Sequence, residues 1–242
     1  MKDDGKREEL NRIADDISNH GLLLSDLLQV LAEKNSPSLG LSDEAFANFA
    51  SLYDKLDSGN YSYGEKGKFL EDLIAILFDK GYPTLFDIRR NMLTSSNEID
   101  ILINWSKSAT QSGIQLLDEG MGSYFLVECK NYKNKVGVTY LGKFFSLMCY
   151  THTKLGIFVS WNGITGSDNC WKDAVGLVKK LALGEKKYIL VLNKDDLKKI
   201  RQKKTNIFTL LENKYLALKT DISYKNLINK HELEIGNPSS PE

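Results

Sequence analysis

The most informative segment of this chain is Tyr124-Phe125-Leu126-Val127-Glu128-Cys129-Lys130. Its apolar residues lead into an acid, a thiol and an amine, and a run of this kind predicts a buried β-strand. Side chains alternate between the two faces of a strand, so Glu128 and Lys130 project together while Cys129 turns into the packing layer. The sequence therefore sets a carboxylate and an ammonium group side by side at a strand end.

A second acid lies on the preceding apolar run, Glu98-Ile99-Asp100-Ile101-Leu102-Ile103, which also predicts a buried strand. If the two strands pair, Asp100 and Glu128 converge. Two close carboxylates repel each other unless a cation sits between them, and oxygen ligands suit Mg²⁺ or Mn²⁺. Lys130 would then hold a water or neutralise charge on a phosphate, which is the chemistry of phosphodiester hydrolysis. The alternative is an ordinary ion pair between Glu128 and Lys130 on an exposed strand.

An amphipathic helix is predicted upstream, from Lys66 to Lys80, with its C-cap at Gly81. Glu71 lies beside the apolar stripe of this helix, where it could reach over a sheet edge towards the metal. The alternative is a solvated acid on the helix surface. The apolar stripe consists of Phe69, Leu70, Leu73, Ile74, Leu77 and Phe78.

With its helix, three strands, helix and fourth strand, the chain resembles the PD-(D/E)xK nuclease superfamily, and within it the Mrr-type restriction endonucleases that cleave DNA. The resemblance covers about residues 64–192 and implies an α/β fold, with a restriction-endonuclease-like central mixed sheet flanked by helices. The residues that carry it are Gly67-Lys68-Phe69-Leu70-Glu71, Leu77-Phe78, Gly81-Tyr82, Glu98-Ile99-Asp100, Val127-Glu128-Cys129-Lys130-Asn131-Tyr132 and Gly156-Ile157-Phe158-Val159-Ser160.

The resemblance also implies a role for each residue of the site. Asp100 and Glu128 would be metal ligands, Lys130 the catalytic lysine, and Glu71 the helix acid that contacts the metal, usually through water. The backbone carbonyl of Cys129 would be a further ligand. The implied cofactor is Mg²⁺ or Mn²⁺, and the implied substrate is DNA, with defence against foreign DNA as the cellular role.

Two features depart from the family pattern. Many relatives approach the aspartate through a compact Gly-rich segment, where this chain has Ser95-Ser96-Asn97-Glu98. The link between the two acidic strands contains a long polar stretch, Ser106 to Ser123, which predicts a hairpin loop over the site or a tolerated surface insertion.

Charge is unevenly distributed, although the whole chain has 32 basic and 32 acidic residues. Residues 1–60 carry 6 Lys and Arg against 12 Asp and Glu, whereas residues 130–204 carry 16 against 5. A basic surface that begins at the proposed site favours contact with phosphates, with Lys133, Lys135 and Lys143 as the nearest candidates. Lysines that merely solvate helix faces are the alternative, above all for the cluster 198–204.

Composition excludes several other classes of protein. No apolar run is long enough to span a membrane, and the start of the chain lacks the apolar core of a secretion signal, so we expect a cytoplasmic protein. Cys129, Cys149 and Cys170 have no CxxC spacing, which favours reduced thiols. Three scattered histidines do not indicate HNH or HD nuclease chemistry, and no phosphate-binding loop of the GxxxxGK[ST] type is present.

Three regions are predicted: a helical N-terminal unit (1–60), the nuclease-like domain (61–204) and a C-terminal extension with a disordered tail (205–242). The acidic N-terminal helices could dock on the core, mediate self-association or bind a partner protein. Homodimerisation would suit cutting of both strands. Besides a DNA endonuclease, the sequence leaves open RNA as the substrate, a non-catalytic DNA-binding or scaffold subunit, and an effector nuclease gated by a partner.

Overall fold

The computed structural model describes residues 2–23, 41–58, 60–82, 85–93, 98–111, 122–167 and 172–221. These residues belong to two compact units, Met1–Ser42 and Asp43–Glu242. The first unit contributes one described helix, α1 (Lys2–Asn19). Most of the predicted second helix, Leu22 to Leu31, lies outside the described residues, as do Cys170 and the predicted disordered tail.

A mixed sheet of five strands forms the centre of the second unit, which confirms the predicted α/β fold. The strand order follows the chain; β1, β2 and β3 pair antiparallel, and β3, β4 and β5 pair parallel. The strands are β1 (Phe86–Leu93), β2 (Glu98–Trp105), β3 (Tyr124–Lys130), β4 (Leu155–Ser160) and β5 (Tyr188–Leu192).

Helices surround the sheet, and two of them form the crossovers that parallel strands require, α5 between β3 and β4 and α6 between β4 and β5. The last helix, α8, was not predicted, and it falls within the C-terminal extension. The helices of the second unit are α2 (Asp43–Asp57), α3 (Tyr63–Phe78), α4 (Lys107–Gln111), α5 (Val138–Tyr150), α6 (Asp173–Glu185), α7 (Lys194–Arg201) and α8 (Ile207–Thr220).

The two faces of the sheet are covered by different helices. Phe125 packs against Phe78 of α3, with ring centroids 5.7 Å apart, whereas its neighbour Leu126 turns to the other face. That second face carries the α5–α6 cluster. The cluster consists of Ile99, Leu126, Val136, Leu141, Phe144, Leu147, Met148, Phe158, Ala174, Val178, Leu181 and Ile189.

Helix α5 lies close to β4 because residue 156 is a glycine. A Cβ atom at Gly156 would lie 2.6 Å from the ring of Phe144 and 2.7 Å from the sulfur of Met148. Both distances are shorter than van der Waals contact. The absence of a side chain at Gly156 therefore lets the ring of Phe144 and the thioether of Met148 pack directly on the backbone of β4.

A capping box fixes the start of helix α3. The side chain of Ser62 accepts from the backbone of Glu65, and the Glu65 carboxylate accepts from the Ser62 backbone at 2.9 Å. The predicted C-cap at Gly81 was wrong. Asp79 is the C-cap in an ordinary right-handed conformation, so no left-handed glycine is required there, and the N–H of Gly81 donates to the carbonyl of Ile76.

Helix α2 lies within the second unit, although the sequence grouped it with the N-terminal helices. Its apolar side, which includes Phe49, Tyr53 and Leu56, is buried, and the ring of Tyr53 lies 5.2 Å from that of Trp161. Asp54 and Asp57 on its polar side form ion pairs with Arg201 and Lys194 of α7. Residues 43–57 therefore help to build the core.

The remaining predicted elements shift by only a few residues. Helix α5 begins at Val138 rather than Thr139, β4 ends one residue early, and β5 matches its predicted limits. Asn193 rather than Asp195 is the N-cap of α7, and Asp196 completes its capping box. Within the described part of the chain, none of the helices has both the length and the apolar content to cross a bilayer.

Candidate active site

The site lies at one end of the antiparallel pair β2 and β3, where β2 begins and β3 ends. Ile101 pairs with Val127, and one step further along the same register Asp100 stands opposite Glu128. Lys130 pairs with Ser160 of β4, and its carbonyl accepts from the N–H of Trp161 at 3.3 Å. The backbone that carries the acids and the lysine is thus held by neighbours on both sides.

Asp100 is fixed by the backbone of the strand beside it. Its Oδ2 accepts from the N–H of Cys129 at 2.7 Å and lies 3.9 Å from the Nζ of Lys130. Both of these contacts use Oδ2, so Oδ1 can take a cation. The side chain is 16% exposed, so it is accessible from solvent.

Glu128 and Lys130 form a direct ion pair, and both are largely buried. Burial raises the pKa of Glu128, the charge of Asp100 raises it further, and Lys130 opposes both. Burial by itself would lower the pKa of Lys130, but the attraction of Glu128 and Asp100 outweighs it and raises this pKa. Lys130 therefore carries its positive charge at neutral pH.

Glu71 projects from α3 towards the same region, and an arginine of β1 anchors it. Arg90 Nη2 lies 3.7 Å from Glu71 Oε2, while Nη1 forms a closer ion pair with Asp72 at 2.7 Å. Burial raises the pKa of Glu71, the charge of Asp100 adds to this effect, and Arg90 lowers it. The pKa of Glu71 on the helix therefore depends on the charge of Asp100 on the sheet.

The alternation of side chains along β1 changes beside Asp100. Arg90 and Met92 are two residues apart and should share a face. Arg90 instead pairs with Asp72 of α3, whereas Met92 packs against the α5–α6 cluster. The residue between them, Asn91, has a left-handed backbone conformation with φ of 51° and stands opposite Asp100 in the register of the flanking pairs. Asn tolerates this conformation better than most residues.

A cavity of about 480 Å³ opens beside Glu71. Helix α3 forms one wall and β1 the other. The lining residues are Gly64, Gly67, Lys68, Glu71, Arg90 and Asn91. Of these, only Glu71 was predicted from the sequence as a site residue; Arg90 and Asn91 stand out only in the structure. The only sequence feature that could have indicated them is the pair of basic residues Arg89 and Arg90 on β1, the strand before β2 with its Asp100.

The donor atoms suit a hard divalent cation. Asp100, Glu128 and Glu71 offer carboxylate oxygens. Burial and, to a smaller extent, the charge of Asp100 raise the pKa of the other two, so a cation among them would stabilise all three charges. Among the described residues, no group of three or more His, Cys, Asp or Glu is close enough to hold a metal ion. In this arrangement the ammonium group of Lys130 partly compensates the charges of Asp100 and Glu128.

The thiol of Cys129 takes no part in this donor set. It is buried, and burial together with the nearby acids raises its pKa well above the ordinary value. The neutral thiol belongs to the packing layer, as the strand alternation predicted. Cys129 and Cys149 are free cysteines. The role of the Cys129 carbonyl as a ligand remains a prediction.

The predicted phosphate-binding lysines lie beyond the end of β3. Lys133, Lys135 and Lys143 are all exposed. The segment after Lys130 is fixed by Asn162, whose side-chain amide donates to the carbonyls of Tyr132 and Lys133 at 2.8 and 3.2 Å. The structure thus brings Asp100, Glu128 and Lys130 together, keeps Glu71 close and presents these lysines to solvent. Of the polar loop predicted over the site, residues 112–121 lie outside the described residues.

Comparison with known protein families identifies the family of this chain. The family model described as restriction endonuclease matches residues 64–198, more than half of the chain. No curated protein and no solved structure matches. The matched segment includes α3 apart from its first residue, all five strands and every residue of the site described above. With its mixed sheet and its acids and lysine at the ends of β2 and β3, the chain belongs to the restriction endonuclease family and carries a catalytic domain of the nuclease type.

Proposed function

We propose that this protein is a metal-dependent endonuclease that hydrolyses phosphodiester bonds in DNA. The observation that carries the proposal is the meeting of Asp100, Glu128 and Lys130 at the adjoining ends of β2 and β3, with Glu71 close by on α3. Two acids and a charged lysine on a rigid sheet edge suit the stabilisation of a phosphate under attack.

Asp100, Glu128 and the carbonyl of Cys129 would hold Mg²⁺ or Mn²⁺, with Glu71 as an outer ligand through water. When bound, this ion supplies an activated water and positive charge for the phosphoryl oxygens. Lys130 stays protonated because its acidic neighbours raise its pKa, so it orients the attacking water and neutralises charge that develops on the phosphate. The exposed Lys133, Lys135 and Lys143 would contact phosphates further along the strand.

The direct test is incubation of the full chain with supercoiled plasmid, modified and unmodified, with and without Mg²⁺ or Mn²⁺. We expect nicking or linearisation only with a divalent ion. Asp100→Asn, Glu128→Gln and Lys130→Met should each lower the cleavage rate by about a hundredfold or more, because each removes charge from the reacting centre.

Glu98→Gln is the matched control for Asp100→Asn, since Glu98 lies on β2 with Asp100 and is exposed. It should cut at the wild-type rate. Full metal-dependent cleavage by the Glu128→Gln protein would contradict the assignment. A protein that binds DNA without a divalent ion and leaves no nicks would instead fit the non-catalytic scaffold.

We further propose a role in prokaryotic defence against foreign DNA, which rests on the family alone. Cells that express the wild-type protein should resist phage or plasmid entry, and cells that express Lys130→Met should not. Homodimerisation remains a prediction for cutting both strands, and the molecular mass in solution, with and without DNA, tests it.

A further inference from the structure

Helix α3 presents an unusual face to the cavity beside the active site. Gly64, Gly67, Lys68 and Glu71 follow the spacing i, i+3, i+4, i+7, which sets them on one side of the helix, and all four line the cavity. Two glycines within the first two turns are costly, because each destabilises a helix by about 0.5–1 kcal/mol relative to alanine.

Packing does not explain these glycines. A Cβ atom built at Gly64 or Gly67 meets nothing within 4 Å, and neither residue has a positive φ. Gly156 differs in this respect, since its neighbours leave no room for a side chain. The space above Gly64 and Gly67 is empty and belongs to the cavity, so the two glycines keep a groove open that alanine or leucine would fill.

The opposite wall supplies polar and cationic groups. Consecutive residues of a regular strand point to opposite faces, yet Arg90 and Asn91 both line the cavity, because the left-handed backbone of Asn91 breaks the alternation. Arg90 is held in place by Asp72 and Glu71, and its five N–H donors leave some for a further acceptor. Lys68 on the helix wall is exposed and lines the same cavity.

The cavity adjoins the reacting centre. Glu71 lines it while also sensing the charge of Asp100, and Asn91 stands opposite Asp100 in the strand register. Its volume of about 480 Å³ lies within the range of about 300–1,000 Å³ that is typical of ligand sites. A ligand in this groove would therefore be continuous with a group bound between the acids.

We propose that this glycine-faced groove binds the sugar–phosphate backbone of the substrate strand next to the phosphate that is cleaved. Gly64 and Gly67 let the strand approach the helix closely, while Lys68 and Arg90 bind its phosphates. The proposal rests on the function proposed above and adds the path of the strand on one side of the cut.

The experiment measures binding separately from cleavage. Fluorescence anisotropy with a labelled DNA duplex, in Ca²⁺ in place of Mg²⁺, gives the Kd for wild type, Gly67→Ala and Gly67→Leu. Gly67→Ala should raise the melting temperature by about 2–4 °C because alanine favours the helix. It should nevertheless weaken binding, and Gly67→Leu should weaken it by about tenfold or more.

Gly184→Leu is the matched control. Gly184 lies in α6, is exposed, has no atom within 4 Å of an added Cβ and does not line the cavity. It should bind DNA with the wild-type Kd. The salt dependence adds a second readout: Lys68→Gln should reduce the slope of log K against log salt concentration by about one, whereas Lys80→Gln should leave it unchanged.

Two results would overturn the inference, and they are distinguishable. If wild type cuts DNA and Gly67→Leu, folded by its melting curve, binds as tightly as wild type, the groove is not the path of the strand, while the nuclease function stands. If wild type neither binds nor cuts duplex DNA, single-stranded DNA or RNA with any divalent ion, both the groove and the proposed function are wrong.

Discussion

The carboxylates of Glu71, Asp100 and Glu128 are partly buried near one another, and a bound cation would reduce the repulsion among them. Burial raises the pKa of both Glu71 and Glu128, the charge of Asp100 raises both further, and Lys130 only partly compensates. Such an arrangement costs stability in the metal-free protein, as is common for sites in which like charges are held together. The cost at Glu71 can be measured.

Glu71→Gln should stabilise the metal-free protein at neutral pH. The folded state raises the pKa of Glu71 above its ordinary value of 4.5, chiefly through burial, so ionisation of this group favours unfolding. The gain in melting temperature should be full near neutral pH and should disappear as the pH falls below about 4.5, where both states are protonated. Thermal melts in excess chelator at several pH values measure it.

Glu65 provides a control of opposite sign. Hydrogen bonds from the Ser62 side chain and backbone lower the pKa of Glu65 in the folded protein. Its ionised form therefore contributes stability at pH values above the ordinary pKa, and this stability is lost as the pH falls through the pKa of the folded state. Glu65→Gln should therefore lower the melting temperature at neutral pH. A Glu71→Gln protein that melts below wild type at pH 7 would mean that the ion pair with Arg90 outweighs burial.

At the scale of the elements, one glycine sets the distance between α5 and the sheet. Gly156→Ala should destabilise the protein by roughly 1–3 kcal/mol, because the new methyl group would overlap the ring of Phe144 and the sulfur of Met148. Denaturant unfolding curves measure the change.

Gly142→Ala is the matched control for this prediction. Gly142 lies within α5, and an added Cβ there meets nothing within 4 Å. This variant should gain about 0.5–1 kcal/mol, since alanine favours the helix. Equal unfolding curves for Gly156→Ala and wild type would show that Phe144 and Met148 move aside without cost.

The sequence predicted the strands and the acids that lie on them because both signals are local. The runs around Asp100 and Glu128 read as buried strands, and the period of two placed Glu128 and Lys130 together. The sequence does not indicate Asn91 and Arg90 as site residues. Asn91 lines the cavity because its backbone is left-handed, and Arg90 because it contacts Glu71 and Asp72, about twenty residues away along the chain. Gly81 failed as a C-cap because the helix ended earlier without a left-handed residue.

At the scale of the whole molecule, the first 42 residues and the helix that follows them have different roles. Removal of residues 1–42 should leave the melting temperature of the second unit close to that of the full chain, because Asp43–Glu242 forms its own compact unit. A protein that starts at Tyr61 should melt far lower or fail to fold, since it lacks Phe49, Tyr53 and Leu56 of the core. Circular dichroism melts of both proteins test this.

The protein without residues 1–42 also tests whether the N-terminal unit restrains catalysis. A chain that starts at Asp43 should cut plasmid faster than the full chain if residues 1–42 hold the nuclease inactive. Equal rates would remove the case for autoinhibition. The variant that starts at Tyr61 cannot serve for this comparison, because its loss of buried side chains would mask any release.

The ion pairs of helix α2 reach across most of the chain: Asp57 meets Lys194 and Asp54 meets Arg201, at separations of 137 and 147 residues. Its covalent tie to the rest of the second unit is, by contrast, the short stretch that precedes Ser62. A protease cut engineered into that stretch should consequently yield two fragments that remain associated. A synthetic peptide of residues 43–58 should then bind the chain that begins near Tyr61 and restore its folded state, so that the protein could be split and reassembled from two parts.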